Sequence, residues 1–181
     1  DVMGGGLTEE GSVQGARALF DAWIDRIEIS GGTDERPVMA GRGHKTAASD
    51  QEAYFLSYAE KMRTRTRTPL VITGGFRTAA GMAGAVFQHG IDMVGLARPM
   101  VIDPDLPSRI LQGEDYVSAV KPVNTGLKVI DRAALLEVTW YEQQLGYLGR
   151  GRRPRPNQGA WYSLAKTVVQ NGLQVFQKRR G

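Results

Sequence analysis

Cysteine is absent from the 181 residues of this chain. That excludes a disulfide framework, a cysteine-ligated zinc or iron–sulfur site and a cysteine nucleophile within it, and it fits a reducing compartment. Long apolar runs are missing too: none approaches the roughly 20 residues that span a bilayer. The opening Asp1-Val2-Met3-Gly4-Gly5-Gly6 has neither the basic nor the apolar stretch of a secretory signal. Together these absences set the expectation of a soluble, cytoplasmic protein with no membrane partner. Histidine is scarce, with only His44 and His89. His44 falls in a polar loop and reads as solvated, and His89 precedes Gly90 at a helix end, where a bond to the last carbonyls suffices. There is no HExxH or EF-hand loop, so no metal site is expected, and no GxSxG or Ser-His-Asp signal for a serine nucleophile. GxGxxG is missing as well, so a separate NAD domain is not expected.

The composition that is present is ordinary for one globular domain. Hydrophobic residues make up 41% and charged residues 23%, enough to bury a core at this length. The formal charge of +4 is unevenly placed. Arg150, Arg152, Arg153 and Arg155 cluster within 149–156, and Lys178, Arg179 and Arg180 lie near the end. Such clusters can attract nucleic acid. No aromatic platform is interleaved with them in the sequence, so a solvated linker and a basic tail are expected, with no nucleic-acid partner.

Strand and helix patterns alternate along the first two thirds. Residues 8–22 read as a helix, with Val13, Ala16, Leu19, Phe20 and Trp23 at helical spacing and Thr8 as N-cap. A short strand over Ile24–Ile29 runs into Ser30-Gly31-Gly32. A polar loop over 31–49 follows, long enough to be functional or mobile. A helix from about Asp50 to Arg65, capped by Ser49 or Asp50, should bury Ala53, Leu56, Tyr58, Ala59 and Met62. Leu70-Val71-Ile72 is a continuous apolar run, as in a parallel strand covered on both faces. A helix over about 78–88, a strand over Asp92–Leu96 and a helix over about 105–112 complete the pattern. Three strand–helix alternations predict βα units around a parallel sheet. The tail differs: a helix over 129–148, a Gly/Pro/Arg linker over 149–159 and an amphipathic helix over 160–177. Trp140, Tyr141, Tyr147 and Trp161 on these helices are expected to pack in a core, an oligomer contact being the minority reading.

Chemistry concentrates where two strands end. Thr73-Gly74-Gly75 stands where a strand hands over to a helix. Glycines there let backbone N–H groups approach an oxyanion, and the next helix presents its positive end. The following strand ends in Gly95-Leu96-Ala97-Arg98, where small residues leave room and Arg98 can add a bidentate contact to phosphate. Adjacent strand ends sharing one phosphate are a habit of the last two strands of (β/α)₈ barrels. The competing account is two structural turns, with Arg98 solvated or paired to Asp103.

Three runs carry a family resemblance. They are 69–78, Pro-Leu-Val-Ile-Thr-Gly-Gly-Phe-Arg-Thr; 90–99, Gly-Ile-Asp-Met-Val-Gly-Leu-Ala-Arg-Pro; and Asp103-Pro104-Asp105-Leu106-Pro107. In this order they resemble the closing part of the Old Yellow Enzyme family, FMN-dependent NAD(P)H:flavin oxidoreductases and ene-reductases built on a (β/α)₈ TIM barrel. Ile27-Glu28-Ile29-Ser30-Gly31-Gly32 resembles that family's sixth strand, and the likeness covers roughly 5–113. It implies that Gly74, Gly75 and Phe76 contact FMN from the seventh strand, and that Gly95, Ala97 and Arg98 hold its phosphate from the eighth. Ala97 stands where many members have a second glycine, and main-chain donation survives that change. The resemblance further implies NADH or NADPH as reductant and an activated alkene or similar acceptor as small-molecule substrate.

Only units resembling strands six to eight are present. The expected organisation is therefore a C-terminal part of an FMN-binding (β/α)₈ barrel over 1–113 and a helical extension over 114–181. The family's histidine or histidine–asparagine substrate clamp and its proton-donating tyrosine lie on earlier strands, so no catalytic residue is assigned. The chain reads as the C-terminal part of a larger enzyme or the product of a truncated gene. A second account is a non-catalytic remnant acting as an interaction or self-association module, because three parallel strands expose two edges. A third is another phosphate-binding barrel, such as a flavin-dependent hydroxyacid oxidase or a dehydrogenase of nucleotide precursors.

Overall fold

The computed structural model describes residues 8–21, 24–30, 53 and 55–172. The loop over 31–49, its His44, the caps Ser49 and Asp50, and the basic residues 178–180 lie outside the described residues. The chain divides into two units: 1–97 with 109–118, and 98–108 with 119–181.

The first unit is a three-stranded parallel sheet with helices. Its strands are β1 (Ile27–Ile29), β2 (Leu70–Thr73) and β3 (Met93–Gly95), in the order β1-β2-β3. Ile27 pairs with Leu70 and Ile29 with Ile72 on one side; Val71 pairs with Met93 and Thr73 with Gly95 on the other. The apolar run behaves as its composition requires. Leu70, Val71 and Ile72 are all buried in the central strand, each contributing roughly 1.5–3 kcal/mol relative to exposure. Met93 on the edge strand β3 is half exposed. β1 is shorter than the expected Ile24–Ile29, because the register begins only where Ile27 N–H bonds the carbonyl of Pro69.

Three helices accompany the sheet: α1 (Glu9–Asp21), α2 (Leu56–Arg63) and α3 (Ala79–Phe87). The Thr8 hydroxyl accepts from Gly11 N–H at 3.0 Å, so the predicted N-cap forms. α2 is shorter than expected and starts after Phe55, without a side-chain cap. It buries Ala59 and Met62, and Tyr58 shares a 2.6 Å hydrogen bond with Ser12 of α1. Asp92 ties this end of the sheet: its carboxylate accepts from Leu70 N–H at 2.8 Å and from Arg63.

The second unit is helical: α4 (Arg98–Ile102), then, beyond the short helix α5 (Leu106–Leu111), α6 (Lys128–Ala133), α7 (Leu136–Leu148) and α8 (Ala160–Asn171). α5 carries the chain from the second unit back to the first. α4 was not expected from the sequence, which has a strand ending in Gly95-Leu96-Ala97-Arg98 and the next helix only from about 105. Proline within a first helical turn loses no hydrogen bond, because that N–H has no partner there anyway. The single helix expected over 129–148 is two. Leu135 sits at φ 45° and ψ 46°, left-handed, and breaks it. The break lets Ala134 and Leu136 both enter a core with Leu164 of α8.

The Arg/Pro/Gly segment after α7 is not a free linker. Trp140 Nε1 donates to the Gln158 carbonyl at 2.9 Å, and Arg155 N–H donates to Gln144 Oε1 at 2.7 Å. Gln143, itself buried, accepts from Gln158 Nε2 at 2.6 Å and donates to Thr167 of α8 at 2.8 Å. Of the tail aromatics, Trp140 and Tyr147 are buried as expected, whereas Trp161 is 54% exposed.

Candidate functional site

β2 ends at Thr73, and the chain leaves it through Gly74 and Gly75 with φ of 119° and 87°. Residues with a Cβ rarely adopt either value, so both positions call for glycine. Among the described residues, neither glycine nor Phe76 donates its N–H to a backbone carbonyl outside the strand ladder. The Thr73–Gly95 pairing turns the Gly74 N–H toward β3, which leaves the N–H groups of Gly75 and Phe76 as the donors of this turn. Phe76 is buried, which anchors the turn to the core behind it.

β3 ends beside this turn, because Thr73 and Gly95 are register partners. A Cβ on Gly95 would fall onto Thr73 Oγ1 and lie 2.9 Å from Thr73 Cβ. Thr73 in turn donates its hydroxyl to Glu28 Oε1 at 2.6 Å. Gly95 is thus demanded by the neighbouring strand, independently of any ligand. Gly74, Gly75, Phe76, Gly95 and Ala97 all lie in the first unit, at the C-terminal ends of two adjacent parallel strands.

The helix after the turn offers less than the sequence suggests. Thr78 caps α3, its hydroxyl accepting from Gly81 N–H at 2.9 Å. Ala79 N–H donates to the Tyr116 carbonyl at 2.9 Å, next to the antiparallel bridge of Thr78 with Val117. Two of the donors that a helix start leaves unpaired are therefore already taken.

Arg98 follows Ala97 in the chain and belongs to the second unit. Its Nη1 donates to Glu137 Oε1 of α7 at 2.9 Å, and the Glu137 side chain is only 12% exposed. The expected alternative partner, Asp103, is not the one found. Among the described residues this one contact leaves most of the five guanidinium donors unspent. The pair also surrounds Tyr141: burial pushes that phenol up, Arg98 opposes the shift and Glu137 adds to it. Glu28 and Glu137 had no signal in the sequence, since each acquires its partner only through packing.

His89 is structural, with Nδ1 2.6 Å from Glu60 Oε1 rather than at the carbonyls of its helix. Among the described residues no group of three His, Asp or Glu could hold a metal ion. No helix among them is long and apolar enough to cross a membrane.

A family model described as NADH:flavin oxidoreductase / NADH oxidase matches residues 12–116, which include both strand ends. Among curated proteins, the chain is 36% identical over 170 residues to the NADH-dependent flavin oxidoreductase iccE of Talaromyces variabilis, covering 84% of this chain and 41% of that protein. It is 33% identical over 142 residues to the NADH-dependent flavin oxidoreductase iliE of Neonectria sp. (strain DH2), covering 74% and 18%. It is 34% identical over 133 residues to the iliE protein of Hypocrea jecorina (strain QM6a), covering 71% and 31%. The chain thus spans less than half the length of each of these relatives.

Proposed function

The chain belongs to the NADH:flavin oxidoreductase / NADH oxidase family, and from that premise we propose that it supplies the phosphate-binding end of an FMN site. The observation that carries this reading is the pair of successive positive-φ glycines, Gly74 and Gly75, at a strand end registered beside Gly95. Backbone N–H groups aimed into one concavity bind anions without a charged side chain. Gly74, Gly75 and Phe76 would hold the cofactor from one strand end, Gly95 and Ala97 from the next. Arg98 would add the positive charge that a dianion requires.

The residues fit a phosphate better through their main chain than through their side chains. The main-chain N–H groups of Gly75 and Phe76 are the donors the turn has to offer, whereas the α3 start is capped and Arg98 shares its charge with Glu137. In this reading the β-strands and their helices, over 1–113, are the closing part of a (β/α)₈ barrel, and 114–181 is a helical extension. When bound, the flavin supplies hydride transfer from NADH or NADPH to an activated alkene or similar acceptor. This chain's residues contribute by fixing the phosphate, which orients the cofactor and prevents its loss.

The test is flavin retention. Arg98→Ala should lower the flavin-to-protein ratio after extensive dialysis, read from visible absorbance. A charge-assisted hydrogen bond contributes about 1.5–3 kcal/mol, so Kd for FMN should rise roughly 10- to 150-fold. Unchanged occupancy would remove Arg98 from the site. Absence of flavin from the parent protein itself would instead favour the non-catalytic interaction module.

A further inference from the structure

Glu137 lies outside the residues that the family model matches, yet it is the partner of Arg98. The contact between them has a particular geometry. Arg98 Nη1 donates to Glu137 Oε1 at 2.9 Å, and among the described residues this is the one hydrogen bond of the guanidinium. Because the contact is made at Nη1, the edge formed by Nε and Nη2 stays open. That edge carries two parallel N–H donors, the arrangement that takes two oxygens of a phosphate.

Both residues stand on fixed backbone, and both belong to the second unit. Arg98 begins α4 and is followed by the buried Pro99, whose ring fixes φ. Glu137 lies in the first turn of α7, directly after Leu136, which is fully buried in a core with Ala134 and Leu164. α4 packs against α7. The Glu137 side chain is 12% exposed, and a carboxylate this buried needs a cation. Burial also pushes up the phenol of Tyr141, one turn further along α7. The same scarcity of water strengthens the attraction between Arg98 and Glu137.

We propose that Glu137 is a positioning residue for the flavin phosphate: it holds Arg98 through Nη1 and leaves the Nε–Nη2 edge for the anion. The helical extension thereby contributes to flavin retention. This inference rests on the reading of Arg98 as a phosphate ligand. An arginine that nothing holds must have its side-chain torsions frozen when the anion binds. Held by a carboxylate on a rigid helix, Arg98 has lost that freedom beforehand. The carboxylate also repels a dianion, so two effects oppose each other. They act through different properties of Glu137: the hold needs an acceptor at Oε1, and the repulsion needs the charge.

The test is the Kd of FMN for the purified full chain, read from quenching of flavin fluorescence, with Glu137→Gln and Glu137→Met as the informative pair. Both variants are neutral and close to glutamate in length, but only glutamine keeps a carbonyl acceptor for Nη1. Ordering one long side chain changes Kd by a factor of about 2 to 12. Glu137→Met should therefore bind FMN that much more weakly than Glu137→Gln. Glu137→Ala should rank with Glu137→Met, so the comparison survives if one of the two fails to fold by circular dichroism. Riboflavin, which has no phosphate, should not distinguish the variants. Neither should FMN once Arg98→Ala is added to each. Where Arg98→Ala alone weakens FMN, equal affinities of the glutamine and methionine variants overturn this inference and leave Arg98 in its role. So does a difference between them that persists with riboflavin or without Arg98. FMN binding that Arg98→Ala leaves unchanged overturns the reading of Arg98 itself, and this inference with it.

Discussion

Gly95→Ala puts the strand-end geometry at risk through one methyl group. A Cβ built there meets the Thr73 hydroxyl head-on, and lies 2.9 Å from Thr73 Cβ and 3.3 Å from Cγ2. Rotation of Thr73 about χ1 can move its hydroxyl and its methyl, but it cannot move Cβ, which stays too close in every rotamer. Rotation also breaks the 2.6 Å hydrogen bond to Glu28. The backbones of β2 and β3 must therefore separate at the Thr73–Gly95 pair. Overpacking of this kind costs about 1–3 kcal/mol, which in a chain of this size lowers Tm by about 2–12 °C. The assay is thermal unfolding followed by circular dichroism, with parent, Gly95→Ala and the double variant Gly95→Ala/Thr73→Gly in parallel. The double variant removes the atoms in the way and should recover part of the loss. A Gly95→Ala protein that melts with the parent would refute the steric account and leave ligand access as the reason for glycine at this position.

Other expectations follow from single contacts. Leu135→Gly should be neutral or stabilising in urea unfolding, because a left-handed leucine costs about 1–2 kcal/mol and this side chain is already partly exposed. Thr78→Ala should cost about 1 kcal/mol by loss of the cap on α3, read from the same urea midpoints; no change would mean that Gly81 N–H finds another acceptor. Lys166→Met should raise the Tyr147 titration, since the Lys166 hydrogen bond is the main cause holding that phenol below its usual value. A phenol lowered in the folded state contributes stability above its unfolded value near 10 and loses it as pH falls through the folded value. The parent should therefore gain on Lys166→Met as pH rises through the alkaline range, checked by phenolate absorbance and by melting at each pH.

The sequence by itself determined the pieces whose causes are local. Leu70-Val71-Ile72 reads as a covered strand because three consecutive apolar side chains need both faces buried, and all three are buried. Thr8 reads as a helix start because a hydroxyl can reach the N–H three residues on, and it does so. Gly74-Gly75 reads as a turn of special backbone because only glycine takes such angles freely, and both have positive φ. Tertiary structure decided whatever depends on a partner far along the chain. Arg98 meets Glu137, 39 residues away, instead of the neighbouring Asp103. Tyr116 takes the N–H of Ala79, and Gln144 and Trp140 tie down an arginine-rich segment that looked free. Leu135 accepts a left-handed backbone so that Ala134 and Leu136 can both be buried. Periodicity carries which face of an element is apolar, but not which charge, carbonyl or strand will stand opposite it. For that reason the glycine of the second strand end looked like room for a phosphate in the sequence, and in the fold it is first of all room for Thr73.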